Sequence, residues 1–327
     1  MDNKINWNET TILITGGTGS FGKKFTEIML KEYHPKKLII FSRDELKQYE
    51  MQKEFQNSSL RFFVGDVRDK ERLYRAMDRV DIVVHAAALK QVPSCEYNPF
   101  EAVKTNILGA QNIINVAIDQ KVKKVIAIST DKAVSPVNLY GATKMCAEKI
   151  FISANSYTGW HGTKMSCARY GNVMGSRGSV ILLFKEQAKS GKITITDQRM
   201  TRFWITLEKG VRFVIKCVEM IRGGEIFVPK IPSVKIIDLG NIFAENCKIE
   251  YIGIRPGEKI HECLLIEDES RHTKEFDDFF VIEPEQPLWS YKFWKEGKQI
   301  QEGFKYTSDT NPQWLTIKEL REMVKEI

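Results

Sequence analysis

The segment TILITGGTGSFGKKF, residues 11–25, constrains the fold more than any other part of the chain. A short run rich in β-branched apolar residues passes straight into a glycine turn, and an amphipathic stretch follows. This is the order strand, tight turn, helix, which leaves backbone amides at a helix N-terminus facing an anionic group. Gly16, Gly19 and Gly22 suit the tight turn, close approach of backbone to a pyrophosphate, and close packing of helix on strand. GGTGSFG, with Thr18, Ser20 and Phe21 between its glycines, therefore reads as a dinucleotide cradle.

The same rhythm recurs through the first half. Strands are expected at TILIT (11–15), KLIIF (37–41), LRFFV (60–64), DIVVH (81–85), KVIAIS (124–129) and KMSCAR (164–169). Amphipathic segments separate them, which is the pattern of a parallel sheet wrapped by helices. FGKKFTEIMLKEY places Phe21, Phe25, Ile28 and Met29 on one helical face. SRDE (42–45) reads as a capping box, with Ser42 at the N-cap and Glu45 three residues on. Beyond residue 175 a helix is expected near 180–190, a basic loop QRMTRFW at 198–204, a helix near 206–221 and a strand EIFVP at 225–229. The fold class is a Rossmann-type doubly wound parallel α/β sheet with a smaller, interleaved C-terminal α/β lobe. Residues 1–175 plus about 206–230 are assigned to the nucleotide-binding domain, and about 176–205 plus 231–327 to the substrate lobe.

Composition narrows the function. The chain has 327 residues, 43% apolar and 28% charged, with a net charge of +7 from dispersed bases. That favours small anionic ligands over nucleic acid. The six cysteines are far apart and the five histidines form no ligand-like cluster, so neither a metal site nor a disulfide framework is expected. The polar amino terminus and the short apolar runs predict neither a signal peptide nor a membrane anchor, and hence a cytoplasmic protein.

At the cofactor end, the second strand leads into Ser42, Arg43 and, one helical turn later, Lys47. Cations here face the position of a 2′-phosphate, favouring NADP, with Asp44 as the competing acid. Gly65, Asp66 and Val67 are placed to bracket the adenine. Ala86, Ala87 and Ala88 after the fourth strand allow close approach of the cofactor.

The chemistry is concentrated in ISTDKAVSPVNLYGATK, residues 128–144. Tyr140 and Lys144 are spaced i, i+4 and share a helix face. A phenol ordinarily titrates near 10, and a nearby ammonium and a positive nicotinamide are expected to lower that value so that Tyr140 serves as base. Lys144 is also expected to hold the nicotinamide ribose, and Thr130 to hydrogen-bond the reacting oxygen. Asp131 and Lys132 have no task in simple hydride transfer. They suit elimination, which needs an acid at the leaving hydroxyl and a base at the neighbouring carbon. Asp131 is the expected acid if its pKa is raised, and Lys132 the expected base if it is kept partly neutral.

Together the GGTGSFG turn, the HAAA segment and the YGATK helix resemble the extended short-chain dehydrogenase/reductase family. STDKA, RYGNVMGSRGSV (169–180) and TRFWI (201–205) are similar to the inverting UDP-N-acetylglucosamine 4,6-dehydratases within it. The resemblance implies transient oxidation at C4, loss of water across C5 and C6, return of hydride to C6, and inversion at C5. It also implies a product used for surface glycans of the pseudaminic-acid type and flagellin glycosylation, and a homo-oligomer, a dimer or larger, up to a hexamer. By the same resemblance, Asn172, Arg177, Ser179 and Val180 face the diphosphate and sugar, and Thr196 and Met200 belong to the substrate site, Thr196 near the uracil. Arg202 and Arg255 reach the phosphates, and Glu258 the uridine ribose. Lys90 is a further candidate near the sugar. The alternatives are a C5-retaining 4,6-dehydratase, a UDP-sugar 4-epimerase and a non-catalytic NADP-sensing protein.

Overall fold

The computed structural model describes residues 5–159, 162–175, 180–244 and 247–325. β1 (Thr11–Thr15) is buried at every position and pairs in parallel with β2 (Lys37–Ser42), which in turn pairs with β3 (Leu60–Val64). On the other side of β1 come β4 (Ile82–His85), β5 (Lys124–Thr130) and β6 (Lys164–Tyr170), all parallel. The order 3-2-1-4-5-6 changes direction at β1, and ligands of such sheets bind outside the carboxyl ends of the strands at that point.

Helices cover both faces. α1 (Ser20–Ile28) continues through a π turn at Met29–Tyr33; Phe25, Ile28 and Met29 are buried and Phe21 packs partly buried on the same core. α2 (Glu45–Phe55) is capped by Asp44, whose carboxylate accepts from the Lys47 amide at 3.0 Å. Ser42 is therefore not the cap. It pairs with Val64 as the last residue of β2, so the chain stays extended for longer than the capping-box reading allows. α3 (Lys70–Ala76), α4 (Val92–Tyr97) and α5 (Pro99–Val103) follow. A π turn joins α5 to α6 (Gly109–Asp119), and α7 (Leu139–Ala154) precedes β6.

After β6 the chain leaves the sheet through β7 (Asn172–Val173), α8 (Val180–Lys189), β8 (Lys192–Ile195) and β9 (Thr201–Ile205). The stretch expected as a basic loop thus contains a strand: β9 alternates no charge into solvent and is almost wholly buried between partners. α9 (Leu207–Met220) leads back to β10 (Ile226–Pro229), parallel to β6. Then come β11 (Ser233–Lys235), antiparallel to β9, α10 (Ile236–Phe243), and β12 (Lys248–Tyr251), parallel to β8.

The tail corrects the expected partition. β13 (Cys263–Leu265) is followed by β14 (Thr273–Glu275), β15 (Phe279–Ile282) and β16 (Lys298–Gln299). β15 pairs antiparallel with β10, and β14 and β16 extend the same ten-stranded sheet. Phe279, Phe280, Val281 and Ile282 are all buried, so this segment needs cover on both faces, which the large sheet supplies. β17 (Tyr306–Thr307) pairs with β13, and α11 (Ile317–Lys325) closes the described chain. A second core, including Ile181, Phe184, Ile195, Trp204, Leu239 and Leu320, lies apart from the main one. Among the described residues no helix is long and apolar enough to cross a membrane.

Candidate active site

One cleft of ≈ 690 Å³ runs from the glycine turn to the end of β5, with the second core forming its far wall through Trp204 and Ile236. Gly16, Thr18, Gly19, Ser20, Phe21, Ser42, Arg43, Lys47, Asp66, Val67, Ala86, Ala87 and Ala88 line its nucleotide end. Gly16 has φ +67°, and a Cβ there would lie 3.0 Å from the Ala86 and Ala87 backbone, so only glycine lets the two loops meet. Gly19 is the N-cap of α1 and makes no side-chain cap, which leaves the first-turn amides open to an anion. Gly22 lies off the cleft: its Cβ would be 2.2 Å from the Gly17 carbonyl oxygen, so it serves packing of helix on turn. The cradle fits a dinucleotide diphosphate on these grounds.

At the adenosine end Asp66 accepts from Arg68 at 2.7 Å, and Arg43 lies 3.7 Å from the same carboxylate with its side chain 56% exposed. Burial pushes the Asp66 pKa up, but the hydrogen bonds from Arg68 outweigh it and hold the carboxyl below its usual range. Lys47 pairs with Asp44.

At the chemical end, β5 finishes at Thr130 and the chain turns tightly through Asp131–Ala133. Asp131 is completely buried, and the Thr130 hydroxyl donates to its Oδ1 at 2.9 Å. Lys132 Nζ donates to Asp131 Oδ1 at 2.9 Å and to Asn172 Oδ1 at 3.0 Å, and lies 3.3 Å from Glu262 Oε1. Thr130, Lys132, Tyr140, Lys144 and Asn172 line the cleft; Asp131 stands behind Lys132 and does not.

α7 brings Tyr140 and Lys144 to this turn. Asn138 caps the helix, accepting from the Gly141 amide at 2.8 Å, and its amide group donates to the Gly257 carbonyl at 2.8 Å. Gly257, with φ +77°, has no room for a side chain because its Cβ would lie 3.0 Å from that of Asn138. The RPGEK loop is thereby held on the start of α7. Lys259 donates to the Val134 carbonyl, and Glu262 reaches Lys132 from the same loop.

The protonation states differ from expectation in two places. Burial and then the charge of Glu262 raise the Asp131 pKa against the pull of Lys132. Burial, and to a lesser degree the Arg202 charge, pull Lys132 down, but Asp131 and Glu262 together outweigh them, so the pKa is raised and the amine rests as an ammonium, not partly neutral. Burial and the Asp131 charge likewise push the Tyr140 phenol up, with a Thr130 hydrogen bond opposing them. The expected lowering by Lys144 is absent. That ammonium donates to the Ile128 carbonyl at 2.7 Å, and burial lowers its own pKa.

Of the expected sugar-nucleotide residues, Lys90, Asn172, Val180 and Arg202 line the cleft. Thr196 does not. Met200 is a member of the second core, in contact with Arg202 through its sulfur, so it packs and does not face the cleft. Arg255 and Glu258 lie off the cleft and pair with each other at 2.7 Å. Arg177 and Ser179 lie outside the described residues. Glu262 was missed by sequence reasoning. It follows RPGEK in a stretch with no periodicity, and only the fold places its carboxylate beside Lys132.

The chain matches, over residues 12–284, the family described as "Polysaccharide biosynthesis protein". It is 52% identical over 327 residues to a Campylobacter jejuni (strain 81-176) protein named UDP-N-acetylglucosamine 4,6-dehydratase (inverting), covering 97% of this chain and 98% of that one. A Rickettsia canadensis protein named UDP-glucose 4-epimerase is 42% identical, covering 97% of this chain and 95% of that one. The solved structure of Pen from Bacillus thuringiensis superimposes with a TM-score of 0.91 at 42% identity, covering 98% and 99% of the two chains. The family match begins inside β1 and ends just past β15, taking in the glycine turn, the Asp131–Lys132 turn and the Tyr140 helix, and the chain belongs to this family of polysaccharide biosynthesis proteins.

Proposed function

We propose that the protein dehydrates UDP-N-acetylglucosamine to UDP-2-acetamido-2,6-dideoxy-β-L-arabino-hex-4-ulose. The observation that carries this reading is the Asp131–Lys132 pair, 2.9 Å across, whose lysine lines the same cleft as Tyr140. A UDP-sugar 4-epimerase has no use for such a pair, because it breaks no bond at C5 or C6. The Campylobacter relative named for this dehydration supports the substrate.

A nicotinamide dinucleotide bound along the glycine turn would accept the C4 hydride and return it at C6, and Arg43 and Lys47 favour NADP. Tyr140 takes the proton of the C4 hydroxyl, with Thr130 on the same oxygen, once positive charge in the cleft offsets the burial that raises its pKa. Asp131, whose pKa burial raises, is assigned as the proton source for the departing C6 hydroxyl; fully buried behind Lys132, it must come within reach of the cleft for that transfer. Lys132 removes the C5 proton, which a C4 ketone has made acidic, after giving up the proton it carries at rest. A lysine in place of a second carboxylate is what favours inversion at C5. The product would supply surface-glycan assembly of the pseudaminic-acid type.

Incubation with UDP-N-acetylglucosamine in deuterium oxide, followed by NMR, tests the proposal. The expected product carries deuterium at C5 on an L-arabino ring. A D-xylo ring would remove the inversion, and a C4 epimer without a keto group would replace the dehydratase reading with the epimerase one.

A further inference from the structure

Lys132 rests as an ammonium, yet elimination requires it as a free amine, so something beside it must take its proton. We propose that Glu262 is the positioning residue that accepts this proton, completing a relay Asp131–Lys132–Glu262. The inference rests on the dehydratase reading of the same site.

Geometry supports the relay. Glu262 is 3% exposed, and its Oε1 lies 3.3 Å from Lys132 Nζ. Its Oε2 is buried without a hydrogen-bond partner, 3.9 Å from Lys259 Nζ. An unpartnered buried carboxylate oxygen is costly in a merely structural ion pair, where full hydrogen bonding is the rule. The backbone is clamped: the Glu262 amide donates to Ser308 Oγ at 2.9 Å, and the Ser308 amide donates to the Glu262 carbonyl at 2.8 Å.

Charged groups reach this carboxylate from three elements: Lys132 after β5, Arg202 on β9 at 3.7 Å, and Lys259 in its own loop. Asp131 lies across Lys132, and Tyr140 on α7 is near enough to feel the Asp131 charge. These cations keep Glu262 ionised at rest against the burial that opposes it. Arg202 lines the cleft, so an anionic diphosphate there competes for its guanidinium and raises the proton affinity of Glu262.

Protons balance through the step. The step starts from a protonated Asp131, an ammonium on Lys132 and a carboxylate on Glu262. Lys132 passes a proton to Glu262, its free amine takes the C5 proton, and Asp131 gives its proton to the C6 hydroxyl, which leaves as water. Asp131 is then a carboxylate, Lys132 an ammonium and Glu262 protonated. Lys132, hydrogen-bonded to Asp131 and 3.3 Å from Glu262, carries the proton from Glu262 back to Asp131.

The test compares the wild type with Glu262→Gln and Glu262→Asp. Reduction of bound nicotinamide in a single turnover reports C4 oxidation, and product formation reports water loss. In E262Q, C4 oxidation is expected within about threefold of wild type while water loss falls roughly hundredfold, a typical contribution of one proton-transfer partner. The E262Q deficit should shrink as pH rises and solvent takes the Lys132 proton, and E262D should recover part of the rate at neutral pH. Equal loss of both steps with no alkaline recovery would mean a structural role only. Wild-type-like turnover and pH profile in E262Q would likewise end the proposal. If E262Q fails to fold, as judged by its melting temperature, E262D decides through its own alkaline recovery. Failure of the wild type to form the keto product would instead sink the dehydratase reading itself.

Discussion

Gly141 packs directly on the carbonyl oxygen of Lys132: a Cβ at that position would lie 2.1 Å from it. This contact sets the Tyr140 helix against the turn that carries Asp131, so the residues proposed for hydride chemistry and for elimination are held together. Because the clash is with backbone, it cannot be relieved by a rotamer change. Gly141→Ala should lower stability by about 1–3 kcal/mol, the usual cost of overpacking, and reduce turnover more than Tm alone explains. Thermal melting and product assays measure both, and a fully active G141A would show that the spacing has slack.

Lys132→Ala leaves Asp131 and Glu262 facing each other without their shared ammonium. Dehydration should fall by roughly 10²–10⁴-fold, while transient reduction of the cofactor persists. Removing one partner of a buried pair typically costs about 3–5 kcal/mol, and here the cost should ease at acid pH, where the carboxylates take up protons. Denaturant titration of K132A at two pH values reads this. Full turnover by the variant removes the assignment of Lys132 as base.

His85 offers a pH signature outside the chemistry. It is 2% exposed, its Nδ1 is 2.8 Å from Thr15 Oγ1, and burial, with Lys144 nearby, lowers its pKa from 6.5 to about 3. The folded protein holds it neutral, whereas the unfolded chain protonates it below about 6.5. Its contribution is therefore complete above that value and is lost as pH falls toward about 3, at up to ~1.4 kcal/mol per pH unit. In His85→Gln the fall in stability between neutral and mildly acid pH should be shallower by about one proton. An unchanged slope would assign the effect to another group.

Arg43 is half-exposed and only loosely held by Asp66, at 3.7 Å, so it is free to meet a 2′-phosphate. Charge-assisted hydrogen bonds contribute about 1.5–3 kcal/mol, so Arg43→Ala should weaken NADP binding by roughly 10- to 100-fold and leave NAD binding nearly unchanged. Calorimetric titration with each dinucleotide decides, and a wild type that prefers NAD would refute the NADP proposal outright.

The features legible in the sequence are those set by near neighbours. The apolar runs that became β1 to β6, the glycine turn into α1, and the i, i+4 spacing of Tyr140 and Lys144 follow from periods of two and 3.6 residues and from backbone sterics. Tertiary structure decided what depends on distant partners. Ser42 stays in its strand because Val64 pairs with it, and Phe279–Ile282 joins the large sheet because β10 offers an open edge. Met200 turns to the second core, away from the cleft. The charge on Lys132 was out of reach for the same reason. Asp131 adjoins it in sequence, but Glu262 arrives from a distant loop held by Gly257 on the Asn138 cap and by Ser308, and a buried group's proton affinity is fixed by every charge buried with it.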